Sequence, residues 1–193
     1  MARRDEVLDA ALELLDEVGL DALTVRRLAA KLGVQPGALY RHYPSKAALL
    51  DSMVDRIAAG VPEAEAGLAW DVHARWIARA VRAAMLARRD GARLIATFDR
   101  PGPAGVASWR GFTGALAVAG LPPEAAAAAA DTVFAYVNGF TIEEQARLDQ
   151  RARADRDAQF EAGLAIIVGG IKAVLEDPAT ATGTRAGPGR PRS

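Results

Sequence analysis

Apolar side chains return every three or four residues along most of this chain, and no stretch alternates apolar with polar as a half-buried strand does. Residues 4–18 place Val7, Leu8, Ala11, Leu14, Leu15 and Val18 on one helical face, and Gly19 closes that helix. A short helix follows. Thr24 can cap it, and Val25, Leu28, Ala29 and Leu32 turn inward. Gly33 suits a left-handed stop, and Val34 fits the angle between two helices. Pro36 suits the first turn of the next helix, where its missing N–H costs nothing. That helix, of about seven residues, turns Leu39 to the core and stops at Pro44. Ser45 then caps a longer helix carrying Leu49, Leu50, Met53, Val54 and Ile57.

Beyond Ala59 the pattern loosens. Residues 60–68 (GVPEAEAGL) read as a linker. From Trp70 to Arg89 a broad face returns, formed by Trp70, Val72, His73, Trp76, Ile77, Ala80, Val81, Ala84 and Met85, until Asp90-Gly91 bends the chain. A short apolar stretch, Leu94 to Phe98, runs into the loop DRPGPAG, and residues 106–119 and 123–148 predict two more helices. Residues 155–176 form the last, with Phe160, Leu164, Ile167, Val168, Ile171 and Val174 or Leu175 in helical register. The expected fold is all-α. Three segments follow from it: a three-helix helix-turn-helix domain over 1–59, a helical regulatory and dimerisation domain over 60–177, and a tail over 178–193. That tail has no apolar anchor and is expected to be disordered.

Charge sharpens the picture. The chain has no net charge, yet Thr24 to Lys46 carries five basic residues (Arg26, Arg27, Lys31, Arg41, Lys46) and no acidic one. Residues 1–23 carry two basic and seven acidic side chains. Such segregation concentrates cation on one small surface, as a phosphate-contacting element requires. Two short helices about a glycine turn within that basic run form a helix-turn-helix. The words ALELLDEVGLDALTVRRLAAKLGV and ALYRHYPSKAALLDSM, within residues 4–57, resemble the DNA-binding domain of the TetR family of transcriptional regulators.

On this reading Lys46, Arg41, Tyr40 and His42 contact phosphate, while Arg26 suits guanine. Gln35, Pro36, Gly37 and Ala38 form a slim helix start that can approach base edges. The resemblance implies DNA contacts at Thr24, Arg26, Tyr40, His42 and Lys46, and it places Gln35 to Ala38 where family members differ in specificity. Arg27 joins the candidate interface by its place on the first short helix.

The C-terminal half resembles the tetracycline-repressor subgroup of that family. The shared pieces are LAW at 68–70, RRDGARL at 88–94, the Gly139…Glu143-Glu144-Gln145 spacing and FEAGLAIIVGGIKAVLE. The resemblance implies a small-molecule pocket and pairing of two subunits. It departs from the subgroup at Ile95, where a ligating histidine is expected. It departs again at Ile77 and Val81, which replace polar or aromatic drug contacts, so a tetracycline–magnesium inducer is not expected. An apolar or aromatic ligand is expected instead. The candidate lining is Trp76, Met85, Phe98, Trp109, Phe112, Phe134, Tyr136 and Phe140, with Asn138 and Glu143 as polar anchors. Alanines 125–130 and Gly163, Gly169 and Gly170 beside large apolar residues suit close helix packing, within one chain or across a twofold four-helix interface.

Other classes recede. The chain has no cysteine, and its histidines are His42 and His73 alone, too few for a thiol nucleophile or a clustered zinc site. No glycine-rich loop follows a strand. No catalytic residue, metal or cofactor is expected. With no apolar run of 18 residues and a charged amphipathic start, neither a membrane partner nor a signal peptide is expected, and the location is expected to be cytoplasmic. The expected activity is that of a homodimeric repressor on a palindromic double-stranded DNA operator, released by a small ligand. The alternative is a constitutive DNA-binding dimer without an inducer.

Overall fold

Gly19, Gly33 and the Pro44-Ser45 pair cut the first sixty residues into four helices: α1 (Arg4–Val18), α2 (Val25–Lys31), α3 (Pro36–Leu39) and α4 (Lys46–Ala59). The computed structural model describes residues 3–97, 101–147 and 153–177. Gly19 adopts φ +78°, and its N–H returns to the Leu15 carbonyl at 2.8 Å. Gly33, at φ +66°, ends the α2 segment, and the Val34 N–H reaches back to the Ala29 carbonyl at 3.0 Å. Local side chains cap the starts of α2 and α4. Thr24 Oγ1 accepts from the Arg27 N–H at 3.2 Å, and Ser45 Oγ accepts from the Ala48 N–H at 3.1 Å. Each satisfies a backbone donor that the helix itself leaves without a partner.

These helices close over one apolar core of Val7, Ala11, Leu15, Leu23, Leu28, Leu39, Leu49 and Met53. α3 is shorter than the sequence predicts. After Leu39 the chain tightens, with the His42 and Tyr43 N–H groups both reaching the Leu39 carbonyl at 3.0 Å. This draws Tyr43 into the core, where its hydroxyl donates to the Arg4 carbonyl at 3.3 Å. A buried tyrosine and the following Pro44 leave no room for another helical turn.

The second half consists of α5 (Trp70–Leu86), α6 (Gly91–Ile95), α7 (Pro103–Val118), α8 (Pro123–Ala146) and α9 (Arg153–Glu176). α5, α7, α8 and α9 share a second core built from Ile77, Phe112, Leu116, Val133, Val137, Phe160 and Leu164. No strand occurs among the described residues. α7 starts earlier than the periodicity predicts, because Pro103 occupies its first turn. The expected disorder of the tail concerns residues outside the described ones. α9 is long and apolar enough to cross a membrane by length and composition alone. Here Phe160, Leu164, Val168 and Ile171 bury against its neighbours, while Ile166 is 77% exposed on the opposite side.

The two cores meet at the corner between α5 and α6. Asp90 takes a left-handed φ of 55°, and its Oδ2 accepts from the Leu20 N–H at 2.8 Å. Asp16 receives the Arg88 guanidinium at 2.6 Å and the Arg89 N–H at 3.0 Å, and Arg93 pairs with Asp21 at 2.8 Å. From the other side Gln145 of α8 accepts from the Ala92 N–H at 3.0 Å and donates to the Arg88 carbonyl at 2.8 Å. The end of α1 is thereby tied to α5, α6 and α8.

Gly19 is required at this junction twice over. Its φ disfavours any side chain, and a β-carbon there would lie 2.8 Å from Asp90 Oδ2, the acceptor of Leu20. Gly19→Ala is expected to lower stability by about 1–3 kcal/mol. Denaturant unfolding measures this, and a loss under about 0.5 kcal/mol would show that the junction yields freely.

Candidate nucleic-acid interface and ligand cavity

α2 lies across the start of α3, and the Thr24 cap fixes the entry of the chain into α2. Arg26, Arg27, Gln35, Gly37, Tyr40, Arg41 and Lys46 are exposed, and Pro36, Ala38 and His42 are half-buried. Thr24 is exposed too, but its hydroxyl is engaged as the cap of α2. The Arg27 guanidinium donates to the Ala22 carbonyl at 3.1 Å, which holds that side chain along the start of α2. Gly37 faces open space, so the first turn of α3 presents bare backbone outward. Tyr40 is 52% exposed, unusual for a large aromatic ring without a packing partner to cover it.

The basic run is smaller in effect than in sequence. Lys31, one of the five basic residues of that run, pairs with Glu17 at 2.7 Å and Glu13 at 3.2 Å on α1. Those carboxylates hold its ammonium above the usual lysine range. The acids of residues 1–23 therefore serve partly as internal partners for this run. Others fasten the helices to one another, as where Arg56 of α4 takes Asp5 at 3.0 Å and Asp9 at 2.6 Å.

Behind α4 lies a cavity of about 520 Å³. Val54, Asp55, Ile57 and Ala58 of α4 form one wall, Val81, Ala84 and Met85 of α5 another, and Gly105, Val106 and Trp109 of α7 a third. Phe134, Asn138 and Asp131 come from α8, and Ile95 from α6. The Trp109 indole N–H donates to Asp131 Oδ1 at 2.8 Å, which fixes the ring at the cavity edge. Of the lining foreseen from sequence, Met85, Trp109, Phe134 and Asn138 meet here.

The others do not. Phe112 is wholly buried in the second core, because its position on α7 faces α5 and α8 rather than the cavity. Trp76 lines a different groove, of about 780 Å³, between the 60–69 linker and α7. Tyr136 stacks on Phe160 and Phe140 meets it edge-on, with ring centroids 5.5 and 5.3 Å from it, on the side where α8 meets α9. Glu143 is exposed and pairs with Arg147 at 3.3 Å. Phe98 lies outside the described residues. His73 packs against Trp76 and Phe112, with ring centroids 6.0 and 5.5 Å away, and burial pushes its imidazole below the usual histidine range. It is therefore a neutral packing ring near pH 7.

The positions standing in for drug contacts split in the same way. Ile95 and Val81 face the cavity with apolar surface, whereas Ile77 is buried in the second core. No histidine lines the cavity, and no metal-ligating cluster of three occurs among the described residues.

Sequence patterning also missed two residues with structural weight. Arg82 of α5 grips Glu144 in two-pronged fashion at 2.7 and 2.8 Å and reaches Asp157 at 2.6 Å. Its guanidinium lies 4.7 Å from the centroid of the Phe160 ring. Asp55, an ordinary acidic position of an amphipathic helix in sequence, accepts from the Ala104 N–H at 2.8 Å and so joins α4 to α7.

On the outer side of α8 and α9, Ala128, Ala135, Gly139, Ala162, Ala165, Ile166, Gly169, Gly170 and Ala173 are exposed. Gly163 does not belong to that surface. A β-carbon there would collide with the Tyr136 hydroxyl, so this glycine serves the contact between α8 and α9 within one chain.

Comparison with known proteins accords with both halves. Residues 7–53 match the profile of bacterial regulatory proteins of the tetR family, and residues 61–156 match the tetracyclin repressor-like C-terminal domain. The tetracycline repressor protein class A of transposon 1721 from Escherichia coli is 37% identical, over 86% of this chain and 88% of that protein. A TetR variant from Acinetobacter baumannii AYE, solved with minocycline, superposes with a TM-score of 0.81 at 35% identity, covering 91% of this chain and 99% of the other. BioQ solved with its natural double-stranded DNA operator gives 0.75 at 36% identity, covering 89% and 98%. With an exposed basic helix-turn-helix, a cavity behind its last helix and a relative of this identity along most of its length, the chain belongs to the TetR family of bacterial regulatory proteins.

Proposed function

We propose that this protein is a homodimeric transcriptional repressor that binds a palindromic double-stranded operator and leaves it when a small apolar or aromatic ligand enters the cavity behind α4. The observation that carries the reading is that one helix serves both ends. α4 begins with Lys46 at the basic surface, and its Val54, Asp55, Ile57 and Ala58 wall the cavity. A ligand that favours another tilt of α4 changes the separation of two recognition elements, which must lie roughly 34–36 Å apart for successive major grooves. A preference of a few kcal/mol for the misfitting state suffices for release. Minocycline and operator DNA in the solved relatives support both halves of this reading.

The apolar lining at Val81 and Ile95 argues against a magnesium-chelated drug as the natural ligand. No cofactor and no catalysis enter the reading. A gene regulator shares a compartment with DNA, which makes a cytoplasmic location part of it. A division near Ala59, into 1–59 and 60–177, belongs to this reading; it is supported by a first core drawn chiefly from residues 7–57, which Leu94 joins, and a second drawn from residues 74–171. A gel shift on palindromic DNA beside the gene, with a thermal-shift screen of aromatic compounds, tests the whole. A compound that raises the melting temperature and frees the DNA supports it. Binding that no stabilising compound releases favours the constitutive dimer.

Arg26 and Lys46 are expected to differ in kind. Arg26→Ala is expected to cost about 1–3 kcal/mol on the cognate site and to relax preference at one base pair per half-site. Lys46→Ala is expected to weaken every duplex alike and to lower the salt slope by about one per half-site. Equal losses across sequences for Arg26, or an unchanged slope for Lys46, would remove each from its role.

The subunit interface is assigned to the small-residue face of α8 and α9. Gly169 has open space around it and Ile166 is exposed, so Gly169→Leu or Ile166→Glu is expected to part the subunits by overpacking or by burying a charge. Sedimentation and gel shift read the outcome, with operator binding lost as the monomer appears. A folded monomer that still binds a palindrome tightly would overturn the dimer, and an unaltered dimer would move the interface.

A further inference from the structure

We infer that the Asp55 carboxylate is the contact through which the cavity sets the orientation of α4, an inference that rests on the reading of the protein as a ligand-released repressor. α7 starts with Gly102 at its N-cap position, which has no side chain to accept from the first backbone donors. Asp55, 49 residues earlier in the sequence, supplies that acceptor from across the helix boundary, taking the Ala104 N–H at 2.8 Å. Its negative charge also sits at the positive end of a sixteen-residue helix.

The approach is close. A β-carbon at Gly102 would overlap the Asp55 carboxylate, so the start of α7 lies directly against α4 and only glycine fits. Asp55 and Gly102 both line the 520 Å³ cavity. An occupant therefore lies against the cap itself.

The remaining polar ties described between the helix-turn-helix unit and the rest lie elsewhere. Asp16 with Arg88, Leu20 with Asp90 and Asp21 with Arg93 gather at the α5–α6 corner, and none of these residues lines the cavity. The helix-turn-helix unit is thus fastened by this polar cluster on the α1 side, while α4 is held to α7 by packing and by the Asp55 cap. Opening the Asp55 cap loosens the hold of α7 on α4 and lets α4 tilt about the α1 fastening. Lys46 lies nine residues before Asp55, roughly 13 Å along the helix, so a tilt at the cavity becomes a displacement at the DNA surface. Asp55 is a positioning residue, and it touches no DNA in this scheme.

The test needs no identified ligand. Gly105 lines the cavity with open space around it, so Gly105→Leu projects a side chain into the cavity as a built-in occupant. The chain has no cysteine, so Ala47→Cys, at an exposed position in the first turn of α4, carries a spin label whose pairwise distance across the dimer reports the helix. The DNA is a palindromic duplex selected from random sequence by the unaltered protein.

Asp55→Ala and Gly102→Ala are each expected to broaden the label distance and to weaken duplex binding about tenfold. Asp55→Asn, whose amide oxygen still accepts from Ala104, is expected to behave as the parent. Gly105→Leu is expected to reproduce the Asp55→Ala change, and the pair combined to add little beyond either alone. Additive losses would overturn the inference, as would weakened binding at an unchanged label distance or parental behaviour of both Asp55→Ala and Gly102→Ala. Should Asp55→Ala fail to fold, Gly102→Ala, which keeps the carboxylate and displaces it, carries the decision. If the parent selects no duplex at all, the repressor reading fails and not the cap alone.

Discussion

The left-handed turn at Asp90 is the constraint on which the arrangement of the two cores depends. A non-glycine residue at φ 55° is held there only by surrounding contacts, and here they are plain. Its carboxylate accepts the Leu20 N–H, and the next residue, Gly91, begins α6 so close to the Met85 carbonyl that no β-carbon fits. Turning α5 into α6 at this angle presents Arg88, Arg89 and Arg93 together to Asp16, the Glu17 carbonyl and Asp21. Exposed ion pairs contribute little singly. Several of them, with direct backbone bonds and the Gln145 tie to α8, hold α1 in one orientation.

The same economy of polar contacts governs the second core. Arg82 is the charged group that α5 carries inward, and it is tolerated because Glu144 and Asp157 neutralise it and Phe160 covers it. A charge so enclosed is weak evidence for stability but strong evidence for register, since a slip of α8 or α9 would leave it without partners. With α8 and α9 fixed in this way, Val133, Val137, Phe160 and Leu164 turn inward, and many of the exposed positions are alanine or glycine. A surface of alanine and glycine with one exposed isoleucine contributes little to a monomer, whereas close backbone approach to an identical surface would bury it.

Local signals were legible in the sequence and depth was not. Thr24, Gly33, Pro36 and Ser45 announce their turns because capping and backbone conformation depend on residues within one helical turn. Periodicity likewise identifies which face of a helix is apolar, but not what covers it. Hence Phe112, Trp76 and Phe134, equally aromatic and similarly placed, end in a core, a groove and a cavity respectively. Lys31 and Tyr43 escaped for a related reason. The partners that draw them inward, Glu13, Glu17 and the Arg4 carbonyl, lie on α1, and nothing in the spacing of α2 or α3 points there. Asp55 is the extreme case: its partner is a backbone amide in the first turn of α7, 49 residues away, and an amide leaves no mark in a sequence.

The character of the cavity follows from this division of labour. Two of the polar groups that could anchor a ligand are engaged already, Asp131 by the Trp109 indole and Asp55 by the start of α7, while Ser108, Arg110 and Asn138 also line the cavity. Most of the remaining wall is apolar, from Val54 and Ile57 through Val81, Met85 and Ile95 to Phe134. Affinity in such a space comes chiefly from apolar area removed from water, about 25 cal/mol per Å², which is insensitive to the ligand's exact outline. Discrimination must then come from the few polar groups whose existing bonds a ligand replaces or breaks. On the proposed reading, a cavity of this kind binds by area and signals by hydrogen bonds, and the bond inferred to signal is the one that also holds α4 against α7.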